Sequence, residues 1–362
     1  MKNLMRLFCL LSLILLPLTH FGADGNASSG ETSTPPGPTA SAPTETDGNG
    51  STGNTVTGDA DAEESGMPIE IFWVLYGGAY IAVSIAFLYF GKLLFDFATP
   101  FKLDTQLTEK DNPAMGVVLT GYLLAIIIVV CGVMMSDGDE GGGAEAAGFN
   151  LIEFVIELGP VGLYTFAGIL FLLLSGYIND KLILKEFSNT HEITERKNVA
   201  VAVIIAAGFL GSALIIAGAI QGSLDWVSAL AGFGIGQLLL VMFALLYQRA
   251  TAYDDQQELH QRQNLAVGLA FGGNLLAYSI LLMKGLTMSG GGLETVADRV
   301  SHFGYYAIIG AVVLPLLRIV NDRLFLPGVK LDDEIVEDRN VNAGLMEAGL
   351  AISMAAILIV CL

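Results

Sequence analysis

Eight apolar stretches, each near the length that an α-helix needs to cross a bilayer, constrain this chain more than any other feature. They cover residues 69–95, 113–135, 158–178, 199–220, 226–247, 265–286, 303–320 and 341–362. About 20 apolar residues span the roughly 30 Å of hydrocarbon in a membrane. Because a helix satisfies its own backbone hydrogen bonds in lipid, the sequence predicts an all-α, polytopic membrane helix bundle of eight spans. A composition of 53% hydrophobic and 15% charged residues excludes a purely soluble protein.

The residues before the first stretch predict export rather than a folded domain. Residues 1–23 combine a short basic start with an apolar run, which is typical of a signal peptide, and a retained anchor is the alternative. Residues 24–67 are rich in Ser, Thr, Gly and Pro and contain acids but no Lys or Arg. Such a segment buries too little apolar surface to fold. We therefore expect a disordered N-terminal tail that forms an acidic extracytoplasmic linker.

The loops alternate in basic content, and this alternation predicts the orientation. The loops after the first, third, fifth and seventh stretches contain most of the Lys and Arg residues, whereas the other loops contain only Lys284 and Arg299. Basic loops remain in the cytoplasm. Both the N-terminal tail and the C-terminus are therefore predicted to lie outside the cytoplasm.

An internal repeat is the most specific pattern in the chain. Four stretches align without gaps, at 106–121, 192–207, 258–273 and 334–349. Each begins with an acid or amide, has an asparagine six places later, and continues with small residues at matched places. The asparagines are Asn112, Asn198, Asn264 and Asn340. The chain is thus predicted to contain four parallel helical-hairpin repeats, each with two spans and a cytoplasmic linker.

The repeated residues resemble a known family. The pattern Asp-x-x-Thr-Pro at Asp96, Thr99 and Pro100, followed by Glu-Ile and Asn-x-Ala-x-Ala/Gly, is similar to the bacterial membrane proteins catalogued as domain of unknown function 350. That domain resembles two hairpins, so the chain looks like two copies in tandem, at 68–222 and 223–362. The resemblance implies a bacterial inner (plasma) membrane protein, and it implies no established activity or catalytic residues.

The repeated polar residues have structural and functional interpretations. Each repeat asparagine stands where a helix begins, and helix capping is favoured over ligand binding because Asn is a preferred N-cap residue. Three acids, Asp96, Asp180 and Asp322, follow the first, third and seventh spans. An acid at a helix C-terminus opposes the helix dipole, so these residues either pair with nearby Lys and Arg or form a shared polar mouth for a cation.

Glu347 is the strongest single candidate for a functional residue. It lies seven places after Asn340, where the other repeats have Leu119, Ile205 and Phe271. An ionisable side chain at this depth faces the bundle interior, a partner or water. Proton or cation relay and a hydrogen-bonded packing role both remain open. Asn342 in the same span and Asn274 in the sixth span are the other amides of this predicted path.

The chain lacks the usual signatures of enzymes and metal sites. It contains no Walker A motif, no G-x-S-x-G, no H-E-x-x-H and no C-x-x-C, and its four histidines occupy unrelated repeat positions. We therefore expect no catalytic residues, no metal and no cofactor. The net charge of −19 argues against a nucleic-acid partner.

Two functions of different classes fit these observations. The first is a transporter or channel-like protein for a cation or small cationic solute, since repeated hairpins and an acid at depth suit a solute path. The alternative is a membrane scaffold without transport activity, whose charged linkers bind other proteins. Besides the lipid bilayer, a homo-oligomer or a cytoplasmic protein partner is compatible with either function.

Overall fold

The computed structural model describes residues 69–136, 151–223, 225–287, 296–325 and 328–362. The regular structure in these residues is entirely helical, which confirms the all-α class. The predicted signal peptide or anchor and the predicted disordered linker lie outside the described residues.

Eight long helices, each apolar and long enough to cross a membrane, coincide with the eight predicted spans in the described part of the chain. They are α1 (Ile69–Ala98), α2 (Pro113–Ser136), α3 (Leu151–Leu182), α5 (Val199–Gly222), α6 (Trp226–Ala250), α8 (Leu265–Thr287), α9 (Val296–Phe325) and α11 (Val341–Cys361). Three short helices lie in the linkers: α4 (Asn189–Thr194), α7 (Asp255–Gln261) and α10 (Leu331–Val336). The first linker has a turn of π-helix at Thr105–Glu109 instead. We call these four linker segments together the linker layer.

The helices that follow the linkers form the centre of the molecule. Helix α5 packs against α2 on one side and α8 on the other, and α8 packs in turn against α11. We call α2, α5, α8 and α11 the inner row. The other four long helices pack on this row, and their exposed apolar side chains, such as Ile81, Ile85 and Ile308, suit contact with lipid. The two middle helices of the row, α5 and α8, are the most buried.

Small residues allow the helices of the inner row to approach closely. A Cβ atom added at Gly121 would lie 2.5 Å from the Cβ of Ala206, and one at Gly268 would lie 2.6 Å from the carbonyl oxygen of Ala200. Such contacts leave no room for larger side chains. Close backbone approach through Gly and Ala is the usual way in which membrane helices associate, since lipid supplies no hydrophobic driving force between them.

Candidate functional site

The repeat asparagines tie each linker to the helix that follows it. Each asparagine side chain accepts a hydrogen bond from a free backbone N–H in the first turn of its helix, and its amide donates to the first residue of the same repeat stretch. The N–H donors include Ala114, Ala200, Ala266 and Asn342, at 3.1 Å in every case. The acceptors are Gln106, Glu192, Glu258 and Glu334 at 2.7 to 3.1 Å. Capping of this kind stabilises a helix by about 1 kcal/mol.

The same asparagines also join successive repeats. In the first three, the side-chain amide donates to the backbone carbonyl of the second residue in the next repeat stretch. The bonds run from Asn112 to Ile193 (2.7 Å), from Asn198 to Leu259 (2.8 Å) and from Asn264 to Ile335 (2.9 Å). Three of the four asparagines thus bridge two hairpins as well as capping a helix.

The residue before each asparagine has the same unusual backbone conformation. Asp111, Lys197, Gln263 and Arg339 all have φ between 45° and 50°. This left-handed region is costly for residues other than glycine, and asparagine and aspartate tolerate it best. The residue before each asparagine therefore adopts an unfavourable backbone conformation, and this conformation places the asparagine where it can form its hydrogen bonds.

Glu192 makes the densest set of linker contacts. Its carboxylate is buried and accepts from Arg196 (2.9 and 3.0 Å), from Asn198, and contacts His260 Nδ1 of the next repeat at 2.7 Å. Burial alone would raise the pKa of Glu192, but the hydrogen bonds from Asn198, Arg196 and His260 outweigh it, and the net effect lowers this pKa. Glu192 is therefore an ionised structural acid between two repeats.

Glu347 lies in a second polar cluster, inside the second half of the chain. Its Oε1 atom is 2.8 Å from Nε of Arg318 and accepts hydrogen bonds from the Tyr247 hydroxyl (3.0 Å) and the Asn274 amide (3.1 Å). These partners come from α9, α6 and α8, so four long helices meet at one carboxylate. The other carboxylate oxygen, Oε2, is buried and has no hydrogen-bond partner within the described residues.

Arg318 connects this cluster to the linker layer. Its Nη2 atom is 2.6 Å from Oδ1 of Asp332 in α10, and its guanidinium carbon lies 5.6 Å from the ring centre of Tyr247. The Arg318 side chain is 15% exposed and that of Asp332 is 37% exposed. The contacts therefore lead from a partly exposed linker acid to an acid buried in the spans.

A third acid, Asp255, belongs to the same electrostatic environment. Its Oδ2 atom accepts from the Thr251 hydroxyl at 2.6 Å, and its Oδ1 atom is buried without a hydrogen-bond partner within the described chain. Burial raises the pKa of Asp255 to about 7, although the Thr251 hydrogen bond and the charge of Arg318 act to lower it and Glu347 adds to the rise. Burial also raises the pKa of the neighbouring Tyr253. Arg318 thus contacts two carboxyl groups and acts electrostatically on a third, that of Asp255.

The other predicted site residues are distributed differently. Asp96 is exposed and accepts from the backbone N–H of Leu103 at 2.8 Å, and Asp180 pairs with Lys181 at 2.7 Å. Asp180 therefore pairs with a neighbouring lysine, whereas Asp96 binds a backbone N–H. Asn342 is exposed. The side chain of Asp322 lies outside what the structure describes.

Asp180 borders a cavity of about 480 Å³ in the first half of the chain. Its wall is mainly apolar and also includes Asn179 and Asn189. Asn189 is 4% exposed, and neither polar atom of its side chain has a hydrogen-bond partner in the described chain. Glu347 is not part of the wall, so this cavity and the Glu347 cluster are separate features.

Sequence reasoning found Glu347 and Asn274 but missed their partners. Arg318 falls inside the predicted seventh span, two residues before the basic loop that follows. Its position within an apolar stretch was the signal that it needs an acidic partner. Tyr247 stands where the other three repeats have an acid, and that departure marks the repeat in which the cluster forms. Nothing in the sequence other than their charge indicated that Asp255 and Asp332 belong to the cluster.

The eight spans, the inner row and the repeated linker contacts define a polytopic α-helical membrane protein built from similar hairpins. The family described as Domain of Unknown Function (DUF350) matches residues 71–220 and again residues 221–362, so the chain belongs to this family as two adjacent copies.

Relatives of two lengths are similar to this chain. The UPF0719 transmembrane protein of Aquifex aeolicus is 22% identical over 299 residues, which cover 81% of this chain and 97% of that protein. The UPF0719 inner membrane protein YjfL of Escherichia coli is 31% identical over 124 residues, or 34% of this chain and 83% of that protein. The UPF0719 transmembrane protein YshE of Bacillus subtilis is 26% identical over 114 residues, or 32% and 78% respectively. No solved structure matches the chain.

Proposed function

We propose that this protein is a transporter or channel-like protein of the inner membrane, and that it takes up a proton or a small organic cation at the Glu347 cluster. One observation carries the proposal: two carboxyl groups, those of Glu347 and Asp332, contact a single arginine, and Asp255 lies within its electrostatic influence. A carboxylate oxygen of both Glu347 and Asp255 lacks a hydrogen-bond partner within the described residues. With Glu347 and Asp332 ionised beside one arginine and Asp255 partly ionised near pH 7, the cluster has excess negative charge in a medium of low dielectric constant. Such a site gains free energy when it binds a positive charge.

The proposal concerns a proton or an organic cation rather than a metal ion. Within the described part of the chain, no group of three or more His, Cys, Asp or Glu side chains is arranged to hold a metal. The cluster also has a cation of its own, because Arg318 already occupies one oxygen of Glu347. An incoming charge must therefore either neutralise a carboxylate or compete with the guanidinium.

Arg318 is the part of the cluster that we expect to move. It contacts Glu347 on one side and Asp332 on the other, at 2.8 and 2.6 Å. Protonation of Glu347 removes the charge that attracts the guanidinium from that side, and Arg318 then stays with Asp332. This change opens a path from the linker layer, which the basic residues predict to be cytoplasmic, to Tyr247 and Asn274.

The experiment is a flux assay in proteoliposomes that contain a pH-sensitive dye. With an imposed membrane potential, we expect the native chain to carry protons faster than protein-free liposomes, and Glu347→Gln to reduce the flux about tenfold or more, as for removal of a proton-relay group. Glu195→Gln is the matched control, because Glu195 is an exposed linker acid far from the cluster in sequence and outside its contacts. We expect that variant to have the native flux.

The same assay tests the scaffold alternative. The closely packed inner row is the observation that favours a scaffold, because small residues close the contacts between its helices. Native chain that moves neither protons nor organic cations such as tetramethylammonium would support the scaffold and reject the proposal. Full flux in Glu347→Gln would remove Glu347 from the path.

A further inference from the structure

The helices at the two ends of the inner row, α2 and α11, each expose a surface that is equivalent to one buried between neighbouring hairpins inside the chain. We propose that copies of this chain associate head to tail, with the fourth hairpin of one copy docked against the first hairpin of the next. The contact would be the one that joins successive hairpins within a single chain.

That internal contact occurs three times with the same parts. One part is the asparagine amide that donates to a carbonyl of the next linker. The other is a packing contact between the last residue of one repeat stretch and the next-to-last residue of the following stretch. The packed pairs are Gly121 with Ala206, Ala207 with Gly272, and Gly273 with Ala348. A contact that is built three times in the same register is an established interface of this fold, and within the described residues the first and last hairpins each leave one side of it uncovered.

The open end of the fourth hairpin has the donor side of this interface. A Cβ added at Gly349, which is equivalent to Gly121 and Gly273, would meet nothing within 4 Å. Asn340 is equivalent to the three bridging asparagines and is only partly buried, and its side-chain amide donates to Glu334 of its own linker. The described chain contains no further hairpin to accept a second bond from it.

The open end of the first hairpin has the acceptor side. Thr120 is exposed at the place where Ala206, Gly272 and Ala348 are packed. A Cβ at the nearby Gly116 would meet nothing within 4 Å, whereas its equivalent Gly268 is in tight contact with Ala200. Leu107 supplies the backbone carbonyl that corresponds to those of Ile193, Leu259 and Ile335.

Shorter relatives provide an independent argument for contact between copies. YjfL of Escherichia coli aligns over 83% of its length with only 34% of this chain, so it is less than half as long and corresponds to one copy of the family domain. In this chain, the junction between the two domain copies is formed by α5 and α8, which make the most extensive contact in the molecule. We expect a protein with one domain copy to have an equivalent surface, which a second molecule of that protein could cover.

Charge makes the proposed junction weaker than the internal ones. Lys197 and Arg339 donate to backbone carbonyls of Lys110 and Arg262 in the preceding linker. At the junction between copies the equivalent residues are both acids, Asp111 and Asp338. Two acids that face each other oppose association, so the contact is reversible and a basic residue at position 111 should strengthen it.

The experiment uses full-length chains without native cysteines, produced together with two different tags. One chain has Glu109→Cys and the other Asp338→Cys, because the equivalent internal pair, Lys110 and Glu195, is in contact at 3.7 Å. We expect a short bis-maleimide to link the two tagged chains in membranes. Lys110→Cys with Glu195→Cys in one chain is the matched control for geometry, and it should crosslink within the chain.

Two further variants separate docking from folding. Gly349→Trp should reduce the crosslinked dimer about tenfold or more, as expected for loss of a packed interface. Gly77→Trp, also at a position with open space around it, should have no effect. Adding Asp111→Lys to the Glu109→Cys chain should increase the dimer about twofold to tenfold.

The proposal is overturned if the 109–338 dimer does not form while the internal control crosslinks. It is equally overturned if the dimer persists in Gly349→Trp. In either case the open faces would belong to lipid or to the apolar segment within residues 1–23. Because the readout is crosslinking, it is independent of whether the chain transports anything.

Discussion

Asn198 should contribute more to stability than any other linker residue, and its replacement by alanine measures how strongly successive hairpins are joined. The side chain is fully buried. It accepts from the N–H groups of Ala200 and Val201 and donates to Glu192 and to the carbonyl of Leu259. Asn198→Ala removes all four hydrogen bonds and leaves their partners buried.

The expected loss follows from these contacts. Loss of the cap costs about 1 kcal/mol. The bond to ionised Glu192 and the buried carbonyl of Leu259 each add roughly 1–3 kcal/mol, since a buried partner that is left unpaired keeps its desolvation cost. We therefore expect Asn198→Ala to lower the free energy of unfolding by about 3–7 kcal/mol.

Asn340→Ala is the matched control, because Asn340 caps its helix and binds Glu334 in the same way but bridges to no other hairpin in the described residues. Its bonds are also less buried, so we expect a loss of about 1–2 kcal/mol. The free energies are measured by titration with sodium dodecyl sulfate in detergent micelles, at a dilution where chains are separate. Equal losses in the two variants would refute the reasoning, because the bond to the next hairpin would then contribute nothing.

Three other predictions follow from single contacts. Gly268→Ala should lower the free energy of unfolding by about 1–3 kcal/mol, because the new Cβ atom would collide with the Ala200 backbone. Gly116→Ala is the control in the same titration. Its Cβ atom would enter open space, so we expect a change of less than about 0.5 kcal/mol. Arg339→Gly should raise the free energy of unfolding by about 0.5–1 kcal/mol by relieving the positive φ of 49°. The Arg339–Arg262 bond that is lost is exposed and 3.4 Å long, so it should cost less than this gain, and a net loss would contradict the expected strain. Burial raises the pKa of Asp255 from 3.8 to about 7. Between these pH values the folded chain keeps a proton that the unfolded chain has lost. The free energy of unfolding therefore falls as the pH rises through this range. Unfolding titrations of native chain and Asp255→Asn should therefore differ by up to about 4 kcal/mol between pH 4 and pH 7, and identical pH profiles would contradict the assigned burial.

The architecture could be predicted because its determinants are local in sequence. Each span is a continuous apolar run, and lipid permits only a helix for such a run. The repeat was visible because Asn198 and its equivalents recur at fixed distances from an acid or amide. The sequence also placed a cap at each asparagine, but it did not show that the amide reaches the linker of the next hairpin, since that bond depends on how hairpins pack.

The polar cluster could be predicted only in part, because the contacts between its residues also depend on how the hairpins pack. Glu347 and Asn274 stood out because polar side chains at depth are rare. Arg318 stands at the end of its apolar stretch beside a basic loop, and only the packing of α9 against α11 shows that it pairs with Glu347. The acids Asp96 and Asp180 looked equivalent in sequence, yet one accepts from a backbone N–H and the other pairs with a neighbouring lysine.

The central structural claim is that four similar hairpins stand in an open row, each joined to the next by the same kind of contact. Spin labels at the exposed linker positions 109, 195, 261 and 337, taken two at a time and diluted with unlabelled chain, measure this directly by pulsed electron paramagnetic resonance. The account predicts three similar distances between neighbouring positions and a much longer one between positions 109 and 337. Unequal neighbouring distances, or a 109–337 distance as short as the others, would contradict it.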